Sequence, residues 1–133
     1  MRWSPHPAFA KDAQGNYLYH HLKPGELGDK RSPFDFKQLA TREVVAEDFV
    51  YALKRHASPR LEAPLAAVFS EHVVGLKEYM ALLKRESDKQ LSGLPDNLAD
   101  KPFLDLRRWP LAGAEAVNDH LLRIRLKGRY PQW

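Results

Sequence analysis

Cysteine is absent from the chain. That excludes a disulfide scaffold, a thiolate metal site and a thiol nucleophile. Long apolar runs are also missing, and nothing approaches the ~20 residues a membrane-spanning helix needs. The opening Met1-Arg2-Trp3-Ser4-Pro5-His6-Pro7 has a charge but no apolar stretch behind it, so no signal peptide is read there. The seven glycines are scattered, which leaves no Gly-rich phosphate loop. None of the six serines sits in Gly-x-Ser-x-Gly. There is no internal repeat and no low-complexity segment.

What remains is an ordinary globular composition. The chain has 133 residues, 44% apolar and 29% charged, enough for one domain or a piece of one. The net charge of +4 is unevenly placed. Residues 1–106 carry 15 basic and 15 acidic side chains, whereas residues 107–133 carry six basic and two acidic. A local basic strip attracts phosphate or acidic partners. A solvated strand face is the plainer reading of the same residues.

Four segments follow from the patterning. Residues 1–43 are rich in turn formers and read as an insertion-like stretch, with Tyr17–Leu22 as an edge strand. Residues 44–90 read as helical. Ala46, Phe49, Val50, Leu53 and Ala57 share one face of a helix over 46–57. Glu47 and Asp48 in its first turn and Lys54 and Arg55 in its last complement the helix dipole. Val45 stands at the N-cap and cannot cap; Ser58-Pro59 ends the helix. Pro64 opens a short helix to about Ser70, and Gly75 precedes a second amphipathic helix with Leu76, Tyr79, Met80 and Leu83 inward.

Residues 91–118 read as loop, polar and turn-rich from about residue 87, with turns at Ser92-Gly93, around Asp96-Asn97 and at Trp109-Pro110. Residues 119–133 read as a strand and exit turn. Leu122, Ile124 and Leu126 alternate with Arg123, Arg125 and Lys127 over 121–127, the pattern of a strand with one wet face. The expected fold class is α+β: two amphipathic helices, a small, mostly antiparallel sheet and long irregular segments.

Candidate chemistry is sparse. His20 and His21 invite a metal reading, but adjacent residues on a strand point to opposite faces and do not chelate together. His6, His56, His72 and His120 are scattered. Glu47-Asp48 reads as dipole complementarity rather than as a catalytic pair, which needs facing positions across a cleft. Arg107-Arg108-Trp109 and Arg129-Tyr130 flank chain reversals and read as packing anchors rather than a nucleic-acid platform. No catalytic, cofactor-binding or metal-binding residue is nominated. The candidate partner surface is Arg123, Arg125 and Lys127.

Four segments together resemble a known family. Thr41–Pro59, with Ala46-Glu47-Asp48-Phe49-Val50-Tyr51, resembles the "T-A-x-D-F-V-Y-S-x-x-R-L-x-D-P" region of periplasmic solute-binding proteins of the oligopeptide/dipeptide class, family 5, which feed ABC importers. Arg2–Phe9 is similar to the end of the preceding strand and the stretch after it in longer members. Val73-Val74-Gly75-Leu76-Lys77-Glu78-Tyr79 is similar to "I-x-G-x-x-E-Y". Asp119–Pro131 is similar to the "D-x-x-T-L-x-I-x-L-x-x-P-x-P" strand that returns to the larger lobe.

The resemblance implies an incomplete accessory domain of a non-catalytic periplasmic receptor. It implies as partners the remainder of the binding protein and, through it, an ABC permease. A peptide-like solute would be held mainly by lobes absent here, without a cofactor. It also implies an open sheet edge and self-association of the isolated piece. The alternative is a small stand-alone basic module that binds nucleic acid or an acidic protein. That reading implies a salt-sensitive affinity lost on neutralising Arg123, Arg125 and Lys127.

Overall fold

The computed structural model of the chain describes residues 1–95 and 101–129. The expected turn at Asp96-Asn97 and the terminal Tyr130-Pro131-Gln132-Trp133 lie outside them. The chain divides into two units, Met1–Val44 and Val45–Trp133.

Proline and short polar side chains shape the first unit. Its three single-turn 3-10 helices, Pro7–Phe9, Pro24–Glu26 and Pro33–Asp35, each begin with proline. Proline fits a first helical position because its ring presets φ and no N–H is lost to a bond. The His6 ring accepts the Ala8 N–H at 3.1 Å, and Ser32 Oγ accepts that of Phe34 at 3.2 Å. The unit's two ends run antiparallel, joined by single bridges Arg2↔Glu43 and His6↔Ala40.

The expected strand Tyr17–Leu22 is not formed. Only Tyr17 pairs, with Lys11, and the chain then turns. Asp12 causes the reversal: its Oδ1 accepts the N–H groups of Gln14 and Asn16, each at 2.9 Å. Those bonds, led by Asn16, hold its carboxyl below the usual carboxylate range.

The second unit contains α1 (Ala46–His56), α2 (Ala66–His72), α3 (Leu76–Leu91), β1 (Ala114–Asn118) and β2 (Leu121–Ile124). The strands form a two-stranded antiparallel sheet, so the class is α+β with a small sheet, as expected. Glu115 faces Arg123 across it, and a bulge falls between Ala116 and Asn118.

The core is built on α3. Leu76 and Leu83 are fully enclosed together with Val73, and Tyr79 is nearly so. Leu104, Leu106 and Leu111 close over them, with Trp109 packed at the margin. Tyr79 donates its hydroxyl hydrogen to the Leu106 carbonyl at 2.7 Å, which ties the irregular 104–111 stretch to the helix.

Residues 114–118, expected as the end of a loop, form β1 because β2 supplies the cross-strand pairing. Three further expectations need correction. The inward face of α1 holds at Ala46, Val50 and Ala57, with Leu53 packed beside the core, but Lys54 is buried too and Phe49 is 55% exposed. Lysine stems bury readily while their ammonium seeks water, so composition alone misplaced Lys54. Second, α3 runs on through the polar residues to Leu91. The cause is Arg60, whose guanidinium donates to Ser87 Oγ at 3.0 Å, to Gln90 Oε1 at 2.9 Å and to the Pro102 carbonyl.

Third, the strand expected over 121–127 leaves β1 after Ile124. Beyond it, the Arg125 carbonyl accepts the Val74 N–H at 3.0 Å and the Lys127 N–H donates to the His72 carbonyl at 2.7 Å. The Val73↔Leu126 bridge marks this second pairing. Ile124, expected inward, is 38% exposed.

Two glycines make this crossing possible. Gly75 takes φ 74° at the start of α3, a left-handed conformation that side chains resist. Gly113 lies so close to the 73–74 backbone that a β-carbon there would stand 2.2 Å from the Val74 carbonyl oxygen. Gly113→Ala is expected to destabilise the protein by about 1–3 kcal/mol through overpacking. Gly25→Ala, with open space around it, is expected to change little. Thermal melts of both variants check this; equal melts would contradict the close approach.

Burial pushes the Tyr79 phenol up to about 12 from its ordinary 10.0. The folded protein thus holds this proton more tightly than the unfolded chain. The resulting stability is full below pH 10 and is lost as pH rises towards about 12. Tyr79→Phe should remove that alkaline loss and cost about 1 kcal/mol at neutral pH by deleting one hydrogen bond. Denaturant melts at neutral and alkaline pH check both effects.

Candidate functional site

The basic residues of 123–127 are tied down locally. Glu115 Oε2 accepts from Arg123 Nη1 at 3.3 Å and from Arg125 Nη2 at 3.2 Å. Arg125 also donates Nη1 to the Ala112 carbonyl at 3.1 Å, and Lys127 donates Nζ to the Ser70 carbonyl at 3.3 Å. Both guanidiniums keep about half their side-chain surface in water. One carboxylate thus offsets one of the two arginine charges, and the strip is weaker than its residue count suggests.

Beside this strip, an open groove of about 410 Å³ runs between α1 and β1. Glu47, Val50 and Lys54 line it from α1; Leu111, Ala112 and Ala116 are among the residues opposite. Helical spacing puts the three α1 residues on one face, since 47, 50 and 54 stand at i, i+3 and i+7. Glu47 stands about 10 Å along the axis from Lys54, at 1.5 Å per residue. Asp48 points to the backbone instead: its Oδ2 accepts the Val45 N–H at 3.1 Å and stands in for the missing cap. The Ala46 N–H, another free donor at the helix start, goes to the Asp119 carbonyl at 2.8 Å.

A second cavity, of about 320 Å³, lies within the first unit and is lined by His6, Tyr19, His20, Lys30, Arg31 and Phe36 among others. His20 stacks on Tyr17 with centroids 4.0 Å apart, and its Nε2 lies 2.9 Å from the Ala8 carbonyl oxygen. His21 follows it in the same turn. Among the described residues, no three His, Asp or Glu side chains are grouped to hold a metal ion.

The other histidines serve locally. The His56 ring stands edge-on to Phe69 at 5.7 Å, and the His120 N–H donates to Asn118 Oδ1. Arg108 lies over the Trp109 ring at 5.5 Å while Trp109 packs on the core. Tyr130, the neighbour of Arg129, is outside the described residues.

Sequence reasoning passed over Lys54, Glu115 and Arg60. Lys54 carried a signal, because it falls four residues after Val50 and eight after Ala46. Glu115 carried none until the register placed it opposite Arg123.

Among the described residues, no helix is long and apolar enough to cross a membrane. Comparison of the chain with protein-family models, with curated proteins and with solved structures finds no match.

Glu115→Gln should weaken both arginine contacts and cost under about 1 kcal/mol, because the ions are half exposed. The loss should shrink with added salt. Denaturant melts at low and high ionic strength measure it; a loss that ignores salt would contradict an ionic clamp.

Proposed function

We propose that this chain is part of the accessory lobe of a solute-binding receptor of the oligopeptide/dipeptide class, the periplasmic component of an ABC importer. The role is non-catalytic and needs no cofactor. The receptor closes around a peptide-like solute between lobes not present here and delivers it to the permease. Closure of such a receptor rests on the ligand's preference for one arrangement of the lobes.

One observation carries the reading. Two of the resembling segments meet the fourth, which spans the turn at Asp119 and β2. The Ala46–Asp119 hydrogen bond joins the first to it, and the Val73↔Leu126 bridge joins the other. Exposed apolar surface gives further support: Phe103 is 70% exposed, Leu65 54% and Leu121 49%. The outer edge of β1 has no strand beside it among the described residues, which suits packing against further polypeptide.

The alternative, a stand-alone basic module for nucleic acid or an acidic protein, draws less support. Its strongest residues, Arg123 and Arg125, already share Glu115.

Sequencing the transcript across both ends of this coding region tests the proposal. A reading frame that continues into further lobes and an export signal supports it. Start and stop codons bounding these 133 residues would overturn it. Sedimentation of the isolated chain should also show concentration-dependent self-association through the open edge, and a strict monomer would count against it.

A further inference from the structure

We propose that the groove between α1 and β1 binds a monocarboxylate with a small aliphatic body, held at Lys54. The inference does not rest on the receptor assignment.

Lys54 is only 5% exposed. Among the described residues, no carboxylate pairs with its ammonium and no acceptor takes a hydrogen bond from it. A buried ammonium is costly unless something answers its charge. All fully enclosed side-chain nitrogen and oxygen atoms have a hydrogen-bond partner. The unpartnered Lys54 Nζ is therefore not fully enclosed. It keeps a small residual exposure, and Lys54 is among the residues that line the groove.

The surrounding charges select the ligand. Lys54 and Arg125 supply two positive charges, and Glu47 and Glu115 two negative ones. Glu115 is already engaged by Arg123 and Arg125, and Glu47 sits two helical turns from Lys54. The Lys54 end is thus locally cationic within a groove of no net charge. One negative charge is accommodated there, whereas a dianion meets repulsion from both carboxylates. The remaining walls are short and apolar: Val50, Leu111, Ala112 and Ala116. They favour a compact aliphatic body beside the charged group, and a groove of about 410 Å³ has room for one.

The test titrates the 15N-labelled chain with 4-methylpentanoate and with 4-methylpentanamide, its uncharged counterpart, following amide shifts by NMR. The carboxylate should move the Lys54, Ala112 and Ala116 signals and bind at least tenfold more tightly than the amide. Lys54→Met, which keeps the apolar stem, should remove that tenfold preference. A phosphonate dianion with the same aliphatic body should bind more weakly than the carboxylate.

Equal affinity for acid and amide, shifts confined elsewhere, a tighter dianion, or an unchanged preference in Lys54→Met would each overturn the proposal. If the variant does not fold, the acid-to-amide ratio on the unchanged chain decides alone.

Discussion

The second unit depends on a three-residue crossing, Val73-Val74-Gly75. Val73 ends α2 and is wholly enclosed, Val74 pairs with the chain beyond β2, and Gly75 opens α3. Ala112 and Gly113 lie directly against this backbone. The crossing therefore joins two helices, the sheet extension and the covering loop in one place. Only residues without a side chain in the wrong position permit it, because two backbones approach more closely than any β-carbon allows.

Around the crossing, the irregular segments satisfy their polar groups through long side chains rather than through regular pairing. Arg60 binds the end of α3 and the Pro102 carbonyl together. Tyr79 reaches the Leu106 carbonyl, and Lys127 reaches that of Ser70. Asp105 accepts from Arg107, both side chain and N–H, and this holds its carboxyl low. A small core with little sheet leaves many backbone groups outside ladders, and each needs a partner wherever it is buried. The same economy explains Lys54. Its side chain is buried, and it lines the groove between α1 and β1.

Much of the fold was legible because it is local. The α1 and α3 apolar spacings, the Pro59 stop and the alternation at 121–127 are read from neighbours a few residues apart. What failed depended on residues far away in sequence. The length of α3 was set by Arg60, 27 residues before Ser87. Tyr17–Leu22 has strand-forming residues, yet only Tyr17 finds a bridge partner, Lys11 across the Asp12 turn. The candidate partner surface was legible as a list of basic residues. Its pairing with Glu115 was not, because cross-strand register is a property of the folded sheet.

The sequence by itself determined the helices, the alternating strand that becomes β2, where prolines and glycines break them, and which end of the chain carries the excess charge. These follow from backbone sterics and from the periodicity of burial. Tertiary structure alone decided that Phe49 of α1 stays outside, which charges neutralise one another, and that Lys54 is enclosed beside a groove. Those outcomes turn on distances between segments tens of residues apart, and charge and burial act through space rather than along the chain.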